Sequence, residues 1–135
     1  LCALGAIFES LGEIDRAILC YERASDIATL PELRGRAMLR LGTLFKRLRM
    51  RDDAVEMWRK LAGSGYGYTM LAYVEMAKHF EHVARDYREA ERLTLRALMA
   101  LELKAARDDP WRVEQQRIDL EHRLTRLRRK IIRYG

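Results

Sequence analysis

Proline is nearly missing from this sequence, and so is cysteine: 135 residues hold two of each. So little proline, with only eight glycines, excludes a collagen-like polymer. Two cysteines, Cys2 and Cys20, without C-x-x-C spacing cannot staple a disulfide-dense scaffold. They read as small buried residues of a reducing compartment. No run of about 18 apolar residues occurs, so no segment reads as membrane-spanning. The start lacks the basic, apolar and small-residue order of a secretory signal. What is present is 49% hydrophobic and 34% charged residues, a balance that excludes a disordered or low-complexity chain.

The net charge of +6 is unevenly placed. Residues 1–33 sum to −4, residues 34–60 to +6, residues 61–110 to −1 and residues 111–135 to +5. Two basic zones are therefore set apart by neutral or acidic ones. Of the 26 basic residues 21 are Arg, whose planar fork suits carboxylates and phosphates. The chain opens on Leu1-Cys2, inside an apolar helical pattern and without Met, which reads as a piece of a longer protein.

Ala, Leu, Glu and Arg dominate, and apolar residues recur three and four apart rather than alternating. The pattern predicts helices near 1–11, 14–29, 33–49, 53–62, 68–84, 87–103 and 111–134. Gly12 and Pro31 mark breaks, and Gly63-Ser64-Gly65-Tyr66-Gly67 reads as a loop. Asp86 with Glu89 forms a capping-box signal, and Asp109-Pro110 sets a cap before a first-turn proline.

Repetition decides the fold class. Leu4-Gly5-Ala6-Ile7-Phe8 returns 37 residues later as Leu41-Gly42-Thr43-Leu44-Phe45. The same shift takes Ala17 to Ala54, Tyr21 to Trp58 and Ala24 to Leu61. A looser third copy holds Met76-Ala77, Phe80, Ala90, Thr94 and Ala97. Turns beginning at Gly12, Arg49 and Arg85 align. Small residues let the two helices of a hairpin approach, while Phe8 and Tyr21 are expected to fill the gap to the next hairpin. The arrangement Leu-Gly-x-x-aromatic, then Ala-x-x-x-aromatic-x-x-Ala, closely resembles the tetratricopeptide repeat (TPR). The resemblance implies an all-α superhelix of three hairpins, about 1–30, 33–62 and 68–103. A linker over 104–110 and a basic amphipathic C-terminal helix over 111–135 follow. Leu61 in place of a small residue and Thr94 in place of an aromatic depart from the pattern. A narrower resemblance lies in Ala77-Lys78-His79-Phe80-Glu81-His82, Arg85-Asp86-Tyr87-Arg88-Glu89-Ala90 and Leu120-Glu121-His122-Arg123-Leu124. These stretches look like the TPR tail of bacterial proteins carrying a ribonuclease-H-like exonuclease domain, whose catalytic carboxylates would lie outside this chain.

In TPR proteins the first helix of each hairpin lines a concave groove that grips a peptide or helix. Carried over, this assigns Cys2, Ala6, Glu9 and Ser10 from the first repeat and Arg36, Leu39, Thr43, Lys46 and Arg47 from the second. The third repeat contributes Leu71, Val74, Lys78, Glu81 and His82. Such a groove is basic in its middle and favours an acidic protein or peptide. The Lys/Asn pair of carboxylate-clamp TPRs is absent. In the last helix Val113, Leu120, Leu124, Leu127, Ile131 and Tyr134 fall on one stripe, and Arg123, Arg126, Arg129, Lys130 and Arg133 on the other side. That helix reads as cover for the end of the stack, as a face that docks on another domain or a second copy, or as a phosphate-binding face without base-reading aromatics. Lacking Trp and Phe on its stripe, it does not read as membrane-binding.

Glu75, His79 and His82 share a helix face but supply only part of a metal shell, so no metal and no cofactor is expected. The glycine-rich loop follows a helix and lacks a Lys, which suits an inter-repeat hinge rather than a phosphate cradle. Ser10, Ser25 and Ser64 have no nucleophile elbow or base. The sequence thus points to a non-catalytic, cytoplasmic protein–protein interaction module of a larger bacterial protein, with Arg36, Lys46, Arg47 and Lys78 attracting an acidic segment. A second reading, a nucleic-acid-binding accessory region of a ribonuclease-H-like nuclease, rests on the narrower resemblance and the two basic zones.

Overall fold

The computed structural model describes residues 2–65 and 67–135. Leu1, at the expected start of the first helix, and Tyr66, in the glycine-rich loop, lie outside the described residues. Among the described residues the chain is all-α, with seven α-helices and no strand. It divides into two compact units, Leu1–Tyr68 and Thr69–Gly135. The first carries α1 (Cys2–Ser10), α2 (Ile14–Ile27), α3 (Pro31–Arg47) and α4 (Arg51–Ser64). The second carries α5 (Thr69–His82), α6 (Tyr87–Lys104), a 3-10 turn (Ala105–Arg107) and α7 (Pro110–Tyr134). Every helix end falls within two residues of its expected place. Gly63 and Ser64 differ in kind: they belong to α4, which ends at Gly65 in the left-handed conformation (φ 73°).

In the first unit each helix packs antiparallel against the next. The approach within its hairpins depends on two glycines. A Cβ on Gly5 would lie 2.6 Å from the Tyr21 ring, and one on Gly42 would lie 2.7 Å from the Trp58 ring. Both rings are buried. The Tyr21 ring lies on Gly5 of its own hairpin, and its hydroxyl reaches onward toward Arg40 of α3, the first helix of the next. At the end of α2 the Arg34 side chain donates to the Ala28 carbonyl, satisfying an acceptor the helix leaves open.

The turns inside the hairpins repeat a backbone motif. Gly12 and Arg49 both have positive φ, 77° and 61°. In the first turn Glu13 N–H bonds Phe8 O (2.9 Å) and Gly12 N–H bonds Glu9 O (3.1 Å); Met50 to Phe45 O and Arg49 to Lys46 O repeat them. This is the Schellman closure, which favours glycine at the left-handed residue. The third turn, with Arg85 at φ 54°, is one residue longer, so that Asp86 N–H reaches back to Phe80 O (2.8 Å). Arg49→Gly removes a left-handed side-chain penalty and is expected to stabilise the first unit by about 1 kcal/mol. Urea denaturation of the variant checks this.

In the second unit α5 packs on α6 and α6 on α7. The terminal helix is thus part of this unit's core rather than a separate segment. Ala77 and Thr94 replace the glycine–aromatic pair of the other hairpins, and both are fully buried. A larger residue on one helix is matched by a smaller one on the other, which accounts for the Thr94 departure. Its hydroxyl donates to Ala90 O (2.8 Å), so no polar atom is stranded there. Val113 and Leu120 of α7 join Ala97 and Leu101 of α6, with Met70, Tyr73 and Val74 of α5 packed against them. Two expected caps need correction. Asp86 Oδ1 accepts from Glu89 N–H (3.1 Å), but the reciprocal half of the box is replaced by the Asp86 N–H bond to Phe80 O. Asp109 stands at the cap of α7 without a side-chain cap bond, although Pro110 does open the helix.

Candidate functional site: a cleft between α5 and α7

The second unit is tied together by a carboxylate that sequence alone presents as a groove residue. Glu81, at the end of α5, is 2% exposed. Arg123 Nη1 meets its Oε1 at 2.7 Å, and Lys130 Nζ meets its Oε2 at 2.9 Å. Arg126 grips both oxygens, Nε to Oε2 at 2.7 Å and Nη2 to Oε1 at 2.8 Å. The spacing of 123, 126 and 130 puts three cations on one helical face above one acid. Burial by itself raises the pKa of Glu81. The hydrogen bonds and charges of Arg126 and Lys130 outweigh that and hold it at about 2. Arg126 is pushed upward by the same bond, against a smaller effect of its own burial.

Glu81 is therefore not available to a partner. Three of the five basic residues assigned to that face of α7, namely Arg123, Arg126 and Lys130, are paired with Glu81, although Arg126 keeps 45% of its side chain exposed. Arg129 and Arg133 remain exposed. Three cations against one carboxylate leave a local surplus of positive charge. Beside this cluster, α5 and α7 enclose a cleft of about 470 Å³. Met70, Leu71 and Val74 form one apolar wall and Leu120 the other, with Lys78, His122, Arg123, Arg126 and one acid, Asp119, around the rim. Lys78 Nζ is paired with Glu75 Oε1 at 3.2 Å. Gln116 lines the α7 wall, and its buried Oε1 has no hydrogen-bond partner among the described residues.

Of the third-repeat groove residues, Leu71, Val74 and Lys78 thus come together, while Glu81 turns into the core. His82 is exposed, with Nε2 3.5 Å from Glu81 Oε1. Gln116, Asp119 and His122 were missed. Their sequence signal is a polar row at i, i+3 and i+6 bordering the apolar stripe of α7. The second-repeat residues lie on α3 and are largely committed to local contacts. Arg36 pairs with Glu32 at 3.7 Å, and Thr43 Oγ1 donates to Leu39 O at 2.8 Å. Leu39 is half-buried, and Lys46 is exposed. Arg47 meets Glu9 Oε1 at 2.7 Å, and Tyr21 Oη donates to Glu9 Oε2 at 2.8 Å. Burial, then the bond to Glu9, raises the Tyr21 pKa above its ordinary value.

Cys20 is buried but Cys2 only partly so, which departs from the expectation for the latter. His79 stacks edge-on against Phe80 at 5.0 Å between ring centroids. Among the described residues no group of three or more His, Cys, Asp or Glu is placed to hold a metal ion, and no helix is long and apolar enough to cross a membrane. No protein-family model, curated protein or solved structure matches the chain.

Proposed function

We propose that the chain is a TPR-like module that binds an acidic, partly apolar peptide segment in the α5–α7 cleft. The observation that carries this reading is the cleft itself, with apolar walls beneath a rim where Lys78, Arg123 and Arg126 outnumber the one acid, Asp119. An apolar side chain of the ligand is withdrawn from water against Met70, Leu71 and Val74. A carboxylate beside it meets Lys78 and His122, and the surplus charge around Glu81 adds a favourable field. Gln116 suits peptide recognition because its amide carries a donor and an acceptor, as a peptide bond does. No protein hydrogen bond to its Oε1 opposes turning it toward a ligand. The TPR-like character is supported by the glycine–aromatic approach in two hairpins and by the repeated left-handed turns.

The test is selection from a displayed library of 12-residue peptides, followed by anisotropy measurements on the best acidic binder. Lys78→Ser with His122→Ser is expected to weaken that peptide at least about 10-fold, one charge-assisted contact or more. Arg36→Glu with Arg47→Glu is expected to change affinity less than about 2-fold, on the same scale. The reverse ranking would move the ligand to α3.

A further inference from the structure

The second unit has another depression, of about 590 Å³, where the α5–α6 turn faces the end of α7. Arg85, Tyr87, Arg88, Lys130 and Tyr134 line it. The basic face of α7 reads in sequence as lacking a base-stacking aromatic; the fold instead sets Tyr134, at the end of α7, beside Tyr87 of α6. The Tyr87 and Tyr134 rings lie 6.0 Å apart between centroids, tilted by 40°. Lys130 Nζ sits 5.4 Å from the Tyr87 centroid, and the Arg133 guanidinium sits 5.4 Å from that of Tyr134. Arg85 and Arg88 are exposed, and neither has an ion-pair partner among the described residues. Asp86, also on the lining, accepts the Glu89 N–H at 3.1 Å, and Lys130 is held by Glu81 at 2.9 Å.

A row of exposed bases leads along α7 to this pocket. His122, Arg126, Arg129 and Arg133 recur at intervals of four, three and four, which is one helical face. The row spans about 16 Å of helix. Arg126 is bound to Glu81, yet the three cations on that single acid leave the row's field positive. Repeated cations ending at an exposed aromatic ring match a ligand with repeated anions and flat, unpaired rings. A duplex hides its base faces in the stack. An acidic peptide does not carry a flat ring beside each of its anions. We infer that the α7 row and the Tyr87–Tyr134 pocket bind single-stranded nucleic acid. One base stacks on Tyr134, which is 63% exposed, and backbone phosphates rest on Arg85, Arg88, Arg129 and Arg133.

The experiment uses the full chain with fluorescein-labelled oligothymidylate of 12 nucleotides, read by anisotropy between 20 and 200 mM salt. Binding is expected to fall with salt at a log–log slope of about −0.7 per phosphate contacted. Tyr134→Ala is expected to weaken binding about 5- to 100-fold with the slope unchanged, because stacking carries no counterions. Arg129→Ser with Arg133→Ser is expected to make the slope shallower by about 1.4. These side chains are exposed, so the variants should keep the wild-type circular dichroism. No binding at 20 mM salt overturns the inference. So does an affinity untouched by Tyr134→Ala, or a duplex of the same length bound as tightly as the single strand. Displacement by thymidine monophosphate at the oligonucleotide's own affinity also overturns it, since the site would then be one for a free nucleotide.

Discussion

Glu81→Gln is expected to destabilise the Thr69–Gly135 unit by about 3 kcal/mol, measured by urea denaturation at pH 7. Breaking a buried ion pair from one side costs about 3–5 kcal/mol, because the remaining charges lose their compensation. The lower end applies, since Arg126 keeps 45% of its side chain exposed and can regain water. Glutamine preserves the shape of Glu81 but points an amide N–H at a cation. Val113, Leu120, Leu124 and Leu127 still bury α7, so the helix loosens at its C-terminal half rather than detaching. Amide exchange should therefore quicken most around Arg126 and Lys130. The pH dependence follows from the depressed pKa. With its carboxyl held at about 2 instead of 4.5, Glu81 stabilises the fold fully above about pH 4.5. That contribution, roughly 3 kcal/mol for the shift, is lost as pH falls toward 2. The variant lacks this part of the acid limb, and the two proteins converge near pH 2. Equal stability at pH 7, or parallel acid limbs, would mean that the cluster is electrostatically idle.

Gly42→Val is expected to cost the first unit about 3 kcal/mol by the same assay, at the upper end of ordinary overpacking. Its Cβ would meet the Trp58 ring at 2.7 Å, and Trp58 is rigid and 2% exposed. Neither helix can move away without opening the contact of α3 with α4. Alanine at the same position recovers some helix propensity, about 1 kcal/mol, but still clashes. The third hairpin shows the remedy, with Ala77 and Thr94 in the equivalent places. Gly42→Ala combined with Trp58→Thr should therefore lose at least about 1 kcal/mol less than the sum of the two single changes. Strict additivity would show that the two residues are not in the tight contact described.

Much of this was legible in the sequence because it is local. Helix periodicity, Gly12, Pro31 and Pro110 place the elements, and the 37-residue recurrence pairs Gly5 with Gly42 and Tyr21 with Trp58. What the repeat could not show is how closely each ring sits on the glycine of its own hairpin. Glu81 was the larger miss. It stands among Lys78, His79 and His82, where a carboxylate reads as solvated, and it is buried by residues 42 to 49 positions away. No periodicity on α5 carries that information. Three of the five basic residues on that face of α7, Arg123, Arg126 and Lys130, are paired for the same reason with an acid that only the tertiary fold supplies. Tyr134 shares a helical stripe with Leu120 and Leu127, yet at the end of the helix it has no core left to enter. The cleft was half visible. Leu71, Val74 and Lys78 share one helix and are legible from its sequence, while Gln116, Asp119 and His122 needed the second helix beside them.

The most direct test of the functional account is a backbone amide chemical-shift map of the isotopically labelled chain, titrated with the best acidic peptide from the library. The account predicts perturbations centred on Leu71, Val74, Lys78, Gln116, Asp119 and His122, saturating with the affinity found by anisotropy. Perturbations confined to Arg36, Leu39, Thr43 and Lys46 on α3, with the α5–α7 cleft unmoved, would contradict it.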